Sequence, residues 1–191
     1  QGDQVLDLEG LARHKGSLLG ALPDIAQPSQ TAFETALADV IERVDPARPL
    51  YVEGEGARIG KLNLPVPLVA HMRDSACVEI DASPETRLAF LLHDYAYLGD
   101  RPAWLADQLG RLKELHGKTI IAAWQEMATT GNLRQLFGEL ATEHYDPSYA
   151  RSQRKHFHKW DARRVVHADS LSAQGIESLA TSIVQTVAEQ Q

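Results

Sequence analysis

The chain has 191 residues, 43% of them hydrophobic and 24% charged, with a formal net charge of −7. That size suffices for one domain with a full core, and apolar runs such as 65–70 and 120–124 fall far short of the roughly 20 residues that cross a bilayer. The acidic balance argues against general nucleic-acid binding, while a single cysteine, Cys77, excludes an internal disulfide and fits a reducing cytoplasm.

The chain starts at Gln1 and enters a strand-like apolar run at once, which reads as a fragment of a longer protein. Gln4 to Leu8 is the first predicted strand. Ser29 can cap a helix whose apolar positions Phe33, Leu37, Val40, Ile41 and Val44 fall at helical spacing. Leu50 to Glu53 forms the second strand, Pro65 or Pro67 opens a short helix through Met72, and Ala76 to Ile80 is the third strand. Ser83-Pro84-Glu85 starts a helix lined by Leu88, Leu91, Leu92 and Tyr95. From Pro102 to about His144 the pattern is helical, broken by Gly117 and by Thr130-Gly131-Asn132, and reads as a helical insert. Arg164 to Ala168 is the fourth strand, and Ile176, Leu179, Ala180, Ile183, Val184 and Val187 mark a last amphipathic helix. The alternation predicts an α/β fold, a mostly parallel sheet flanked by helices, in a single domain with an insert at about 102–144.

Three groups of residues can carry chemistry. Glu53 and Glu55 stand at the carboxyl end of the second strand, where open α/β sheets place ligands, and such carboxylates can hold a hydrated Mg²⁺ or orient a water. The alternative is an ordinary strand end with solvated acids. Asp7 and Glu9 end the first strand in the same way, followed by Arg13, His14, Lys15 and Ser17, donors that suit a phosphate or RNA backbone. A charge cluster on a solvated helix would look alike. The third group is the basic segment 151–164, where Arg151, Arg154, Lys155, Lys159, Arg163 and Arg164 face one acid, Asp161, for a local +5, so the remainder carries −12. Phe157 and Trp160 interleave with these cations, as in single-stranded RNA sites, or form one buried helical face.

The eight histidines show no zinc pattern, and Cys77 lies in an apolar run without a second thiol, as a buried inert thiol does. Neither a phosphate loop of the Gly-x4-Gly-Lys-Ser/Thr form nor a Gly-x-Ser-x-Gly elbow occurs.

The strings Gln4 to Ser17, Gln27-Pro-Ser-Gln30 with Phe33-Glu34, Val52-Glu53-Gly-Glu55 through Ile59-Gly60, and His144-Tyr-Asp-Pro-Ser-Tyr149 occur in order and together resemble the C-terminal half of bacterial tRNA 2-selenouridine synthases. The resemblance covers nearly the whole chain and implies a P-loop kinase-like domain, joined in the family to an N-terminal rhodanese-like domain that carries the reactive cysteine. It implies replacement of sulfur by selenium in wobble 2-thiouridine of tRNA, with selenophosphate as donor and a geranylated intermediate drawing on geranyl pyrophosphate. It also implies a P-loop upstream of Gln1, able to take a nucleotide with Mg²⁺ or geranyl pyrophosphate. Loss of the P-loop strand would leave the second and third strands without a shared neighbour; either the fold closes that gap or a partner fills it, a homodimer being one way.

On this reading Arg13, His14, Lys15, Ser17, Arg151, Arg154 and Lys155 bind the tRNA anticodon arm or a pyrophosphate, Tyr149 stacks on a base, and Glu53 and Glu55 position metal or water. No catalytic residue is expected in this chain, which is expected to be inactive alone, with no zinc and no membrane segment. Two other readings use the same residues: a small-molecule kinase with the helical insert as a lid, and a helical module that docks a partner domain through an exposed apolar patch.

Overall fold

The structure, a computed structural model, describes residues 3–188, which cluster into two compact units, the first ending at Asp74 and the second starting at Ser75.

In the first unit, β1 (Gln4–Leu6) runs parallel to β2 (Leu50–Val52), with Gln4 opposite Leu50 and Leu6 opposite Val52. Parallel strands need a crossover, supplied here by α1 (Leu8–Ala12) and α2 (Gln30–Ile41). Ser29 caps α2, its hydroxyl accepting from the Ala32 N–H at 3.2 Å. The helical spacing of Phe33 and Leu37 then aims both at Leu6, Leu8 and Ala12 in one buried cluster, each large side chain contributing roughly 1.5–3 kcal/mol.

A hairpin follows, β3 (Arg58–Ile59) against β4 (Leu62–Asn63), turning at Gly60-Lys61. Ile59 and Leu62 enter the same cluster, as do Val69 and Met72 of α3 (Val66–Asp74). Two glutamines fasten the hairpin. Gln27 donates to the Ala12 and Ile59 carbonyls at 3.2 and 3.1 Å and accepts from the Lys61 N–H at 2.9 Å. Gln30 donates to the Asn63 carbonyl at 2.8 Å and accepts from its N–H at 3.0 Å. Each amide does for a two-residue strand what a neighbouring strand does for a longer one.

In the second unit, β5 (Val78–Ala82) runs parallel to β6 (Arg164–Ala168) over five paired positions. On one face Val166 and Ala168 are buried against Leu179 of α9 (Ala173–Ala188). On the other, Arg163 pairs with Glu79, and His167 Nδ1 lies 2.9 Å from Asp81 Oδ2.

The connection between these strands is helical: α4 (Pro84–Asp94), a 3₁₀ turn (Ala96–Asp100), α5 (Pro102–Gly110), α6 (Lys113–Thr130) and α7 (Leu133–Glu139). Ser83 caps α4, with proline at its first position. α6 is interrupted at Gly117 and ends at Gly131, both with positive φ. Trp124 is fully buried, and its indole N–H donates to Glu139 at 2.9 Å. Past Glu139 the helix widens into a π-helical segment, Leu140–Tyr145, and runs on as α8 (Asp146–His156).

The fold class is therefore α/β with parallel strand pairs flanked by helices. Three details differ from expectation. The first strand stops at Leu6, because Asp7 caps α1 and Leu8 begins that helix. The third strand is shifted to Val78–Ala82 because its pairing with β6 begins at Arg164, so Cys77 precedes the strand and is half-buried. The β3–β4 hairpin has strands too short to show any alternation.

Candidate functional site

The first unit holds a group of carboxylates where β1 and β2 end. Their parallel register brings Glu53 beside the first turn of α1. Its carboxylate accepts from the Leu8 N–H at 3.0 Å and the Glu9 N–H at 3.4 Å, while Asp7 accepts from the Gly10 N–H at 2.7 Å. Three otherwise orphaned donors at the positive end of a helix are thus met by two acids.

Glu55 follows across a tight turn in which its N–H donates to the Glu53 carbonyl at 2.7 Å. The Glu9 and Glu55 side chains converge on Gly16: a Cβ there would sit 2.6 Å from Glu55 Oε1 and 2.7 Å from Glu9 Oε1, and the residue has φ +63°. Only glycine satisfies both conditions without strain.

Burial and then the charges of Glu55 and Glu53 push the Glu9 carboxyl up to about 7. Glu55 is raised by burial and by Glu53, and Glu53 by burial against the N–H bonds that favour its charge. Glu9 and Glu55 therefore hold a proton between them near neutrality. A divalent cation does not fit these groups as they stand, since Glu53 is taken up by the start of α1. Among the described residues no group of three or more His, Cys, Asp or Glu is placed to hold a metal.

The segment after α1 closes the other side. Arg13 is left-handed and ends the helix, Lys15 N–H donates to the Gly20 carbonyl at 2.9 Å, and His14 bridges to Ala21. A cavity of about 620 Å³ opens here. Asp7 and Glu9 line it with Arg13, His14 and Lys15, and Leu22 and Ile25 supply an apolar wall.

His14 is 8% exposed, and its Nδ1 is buried with no hydrogen-bond partner. Burial alone lowers its pKa, so the ring is neutral at physiological pH. An unmet imidazole nitrogen costs about 1–3 kcal/mol, and this one is closed off from solvent. Of the predicted residues, Arg13, His14 and Lys15 meet at this cavity. Ser17 stays within the loop, its N–H donating to the Lys15 carbonyl at 2.6 Å.

The predicted residues of the basic segment fall in the second unit, on α8. Arg151, Arg154 and Lys155 are spaced i, i+3, i+4 and share one exposed face. Tyr149 lies about 200° around the helix from Arg151, on the face of Tyr145, whose ring centroid is 6.2 Å away. The ring series continues through His144, at 4.9 Å from Tyr145, to His116 and buried Trp124. His116 Nε2 and His144 Nδ1 share a hydrogen bond at 3.0 Å. Tyr149 thus tops a packed ring series, apart from the cations.

Phe157 and Trp160 are half-buried, and the Arg163 guanidinium covers the Trp160 ring at 4.6 Å. The Cys77 thiol is pushed up by burial, against the pull of Lys159 and Arg163. That is the opposite of an activated nucleophile.

Sequence reasoning placed Glu53 and Glu55 together as one pair. It missed that Glu53 caps α1, that the partner of Glu55 is Glu9, and that Arg87 holds Asp146 through two hydrogen bonds of 2.6 and 2.8 Å. No local signal reports such contacts.

A family model described as the tRNA 2-selenouridine synthase AAA domain matches residues 1–104. Among curated proteins, a tRNA 2-selenouridine synthase of Cupriavidus necator is 45% identical over 92 residues, covering 47% of this chain and 25% of the relative. Those of Cupriavidus pinatubonensis and Alcanivorax borkumensis are 33% and 31% identical, each covering 78% of this chain and 48% and 49% of the relative. The chain spans about half or less of the length of these relatives. No solved structure matches it.

Proposed function

The chain belongs to the tRNA 2-selenouridine synthase AAA domain family, and from that membership we propose that it is the ligand-holding part of a tRNA-modifying transferase that exchanges sulfur for selenium in wobble 2-thiouridine. Its relatives carry the name of that activity.

The observation that carries the local reading is a single cavity lined both by Arg13, His14 and Lys15 and by the apolar side chains of Leu22 and Ile25. A phosphate ester with an apolar tail matches those surfaces. The guanidinium of Arg13 suits the fork of a phosphate, His14 can meet a phosphate oxygen, and Leu22 and Ile25 can cover a prenyl chain. Glu9, protonated below about pH 7, can donate a hydrogen bond to an anionic oxygen. This favours geranyl pyrophosphate over selenophosphate as the occupant, since selenophosphate has nothing to set against Leu22 and Ile25.

The tRNA anticodon arm is the macromolecular substrate in this reading, a rhodanese-like domain supplies the reactive thiol, and the reaction places the protein in the cytoplasm. Among the described residues no helix is long and apolar enough to cross a membrane.

Calorimetric titration with geranyl pyrophosphate and with inorganic pyrophosphate tests the cavity. Arg13→Ala should weaken both ligands about 10- to 100-fold, the loss of a charged hydrogen bond, whereas Ile25→Asp should weaken the prenylated ligand alone. Unchanged binding in Arg13→Ala would remove the cavity from the reading.

A further inference from the structure

We propose that the outward face of α8, formed by Arg151, Arg154 and Lys155, is a docking surface for the phosphate backbone of an RNA; this rests on the tRNA-modifying reading above and assigns its RNA contact to particular residues.

α8 is an eleven-residue helix that buries none of its side chains. Most helices in proteins are held by an apolar face; this one is held at its start. Arg87 of α4 takes the Asp146 carboxylate in two hydrogen bonds, and the rings of Tyr145 and Tyr149 continue the series that ends on buried Trp124. These ties use the side of the helix carrying Tyr149 and leave the opposite side to solvent.

The same ties set the charge. Asp146 is the only acid of α8, and Arg87 neutralises it. Arg151, Arg154 and Lys155 are exposed and pair with no acid among the described residues. Side chains at i, i+3 and i+4 lie about 5–6 Å apart at Cβ, which gives a compact row of three cations. Cations in a last helical turn also offset the helix dipole, but Arg151 stands mid-helix, where that effect has faded.

The surroundings favour this partner. The segment 151–164 carries +5 in a chain whose remainder carries −12, which draws a polyanion to this segment, and guanidinium groups match phosphate oxygens in paired hydrogen bonds. A repeating phosphate backbone satisfies all three cations at once. Tyr149 faces away, so the surface contacts backbone and reads no base.

The test is a salt titration of the full chain's affinity for an anticodon stem-loop RNA, comparing the native sequence with the triple variant Arg151→Gln, Arg154→Gln, Lys155→Gln and with a control, Arg43→Gln, in the exposed turn that follows α2. Each phosphate contact adds about −0.7 to −0.9 to the slope of log affinity against log salt. Raising salt fourfold should therefore cost the native chain about 20-fold more affinity than the triple variant, with the control behaving as native.

A native slope in the triple variant overturns this surface and leaves the tRNA reading standing. No RNA binding by the native chain overturns the surface and counts against that reading as well. Competition by poly-glutamate as effective as by RNA assigns the row to an acidic protein and also overturns the proposal. Thermal melting of each variant, expected to match the native chain, separates lost contact from lost fold.

Discussion

The cavity beside α1 and the outer face of α8 both begin with a carboxylate fixed at the start of a helix, yet they end in opposite electrostatics. In the first unit Asp7 and Glu53 are spent on backbone N–H groups, and the acids left over, Glu9 and Glu55, turn on each other around Gly16. In the second unit Asp146 is spent on Arg87, and what is left over is a row of cations facing water. The first arrangement stores a proton and lines a concavity with a neutral imidazole; the second presents charge to solvent. A small ligand that must be desolvated suits the former, and a long, hydrated polyanion suits the latter.

The sharpest way to break the cavity side is Gly16→Ala. The substitution places a methyl carbon against two carboxylates and forces a left-handed alanine, so a loss of about 2–3 kcal/mol is expected, read as a lowered denaturant midpoint. An unchanged midpoint would mean that Glu9 and Glu55 do not converge there.

Glu9→Gln has a smaller effect whose sign depends on pH. The folded carboxyl titrates near 7, above its ordinary value of 4.5, so its contribution to stability is fully present below about pH 4.5 and is lost as pH rises through 7. Glutamine removes that loss. The variant should match the native chain at pH 5 and exceed it at pH 8 by about 1–2 kcal/mol, after allowing for the solvent screening of a half-buried group. Equal stability at both values would show that the carboxyls titrate normally.

These contrasts also mark what sequence can reveal. The Ser29 and Ser83-Pro84 helix starts and the breaks at Gly117 and Gly131 follow from local chemistry, and each stands where the pattern placed it, whereas the strand expected over Gln4 to Leu8 ends at Leu6. The gathering of Arg13, His14 and Lys15 was legible because they are consecutive. The partner of Glu55 was not, because Glu9 lies 46 positions away and meets it only through the β1–β2 register; Arg87 and Asp146, 59 positions apart, meet by helix packing. The hairpin at Gly60 escaped because two-residue strands have no period to detect. Tyr149 was grouped with Arg151, two positions on, although such neighbours point to opposite sides of a helix.

The account turns on the cavity being a ligand site, and the nitrogen resonances of the His14 ring observe it directly while geranyl pyrophosphate is added. The prediction is a saturable shift of the ring resonances as the cavity fills around His14, with the Arg13 side chain moving at the same concentration and Arg154 not. A His14 ring that stays unmoved while arginines in both units drift together would contradict it, leaving only diffuse attraction of an anion to surface charge.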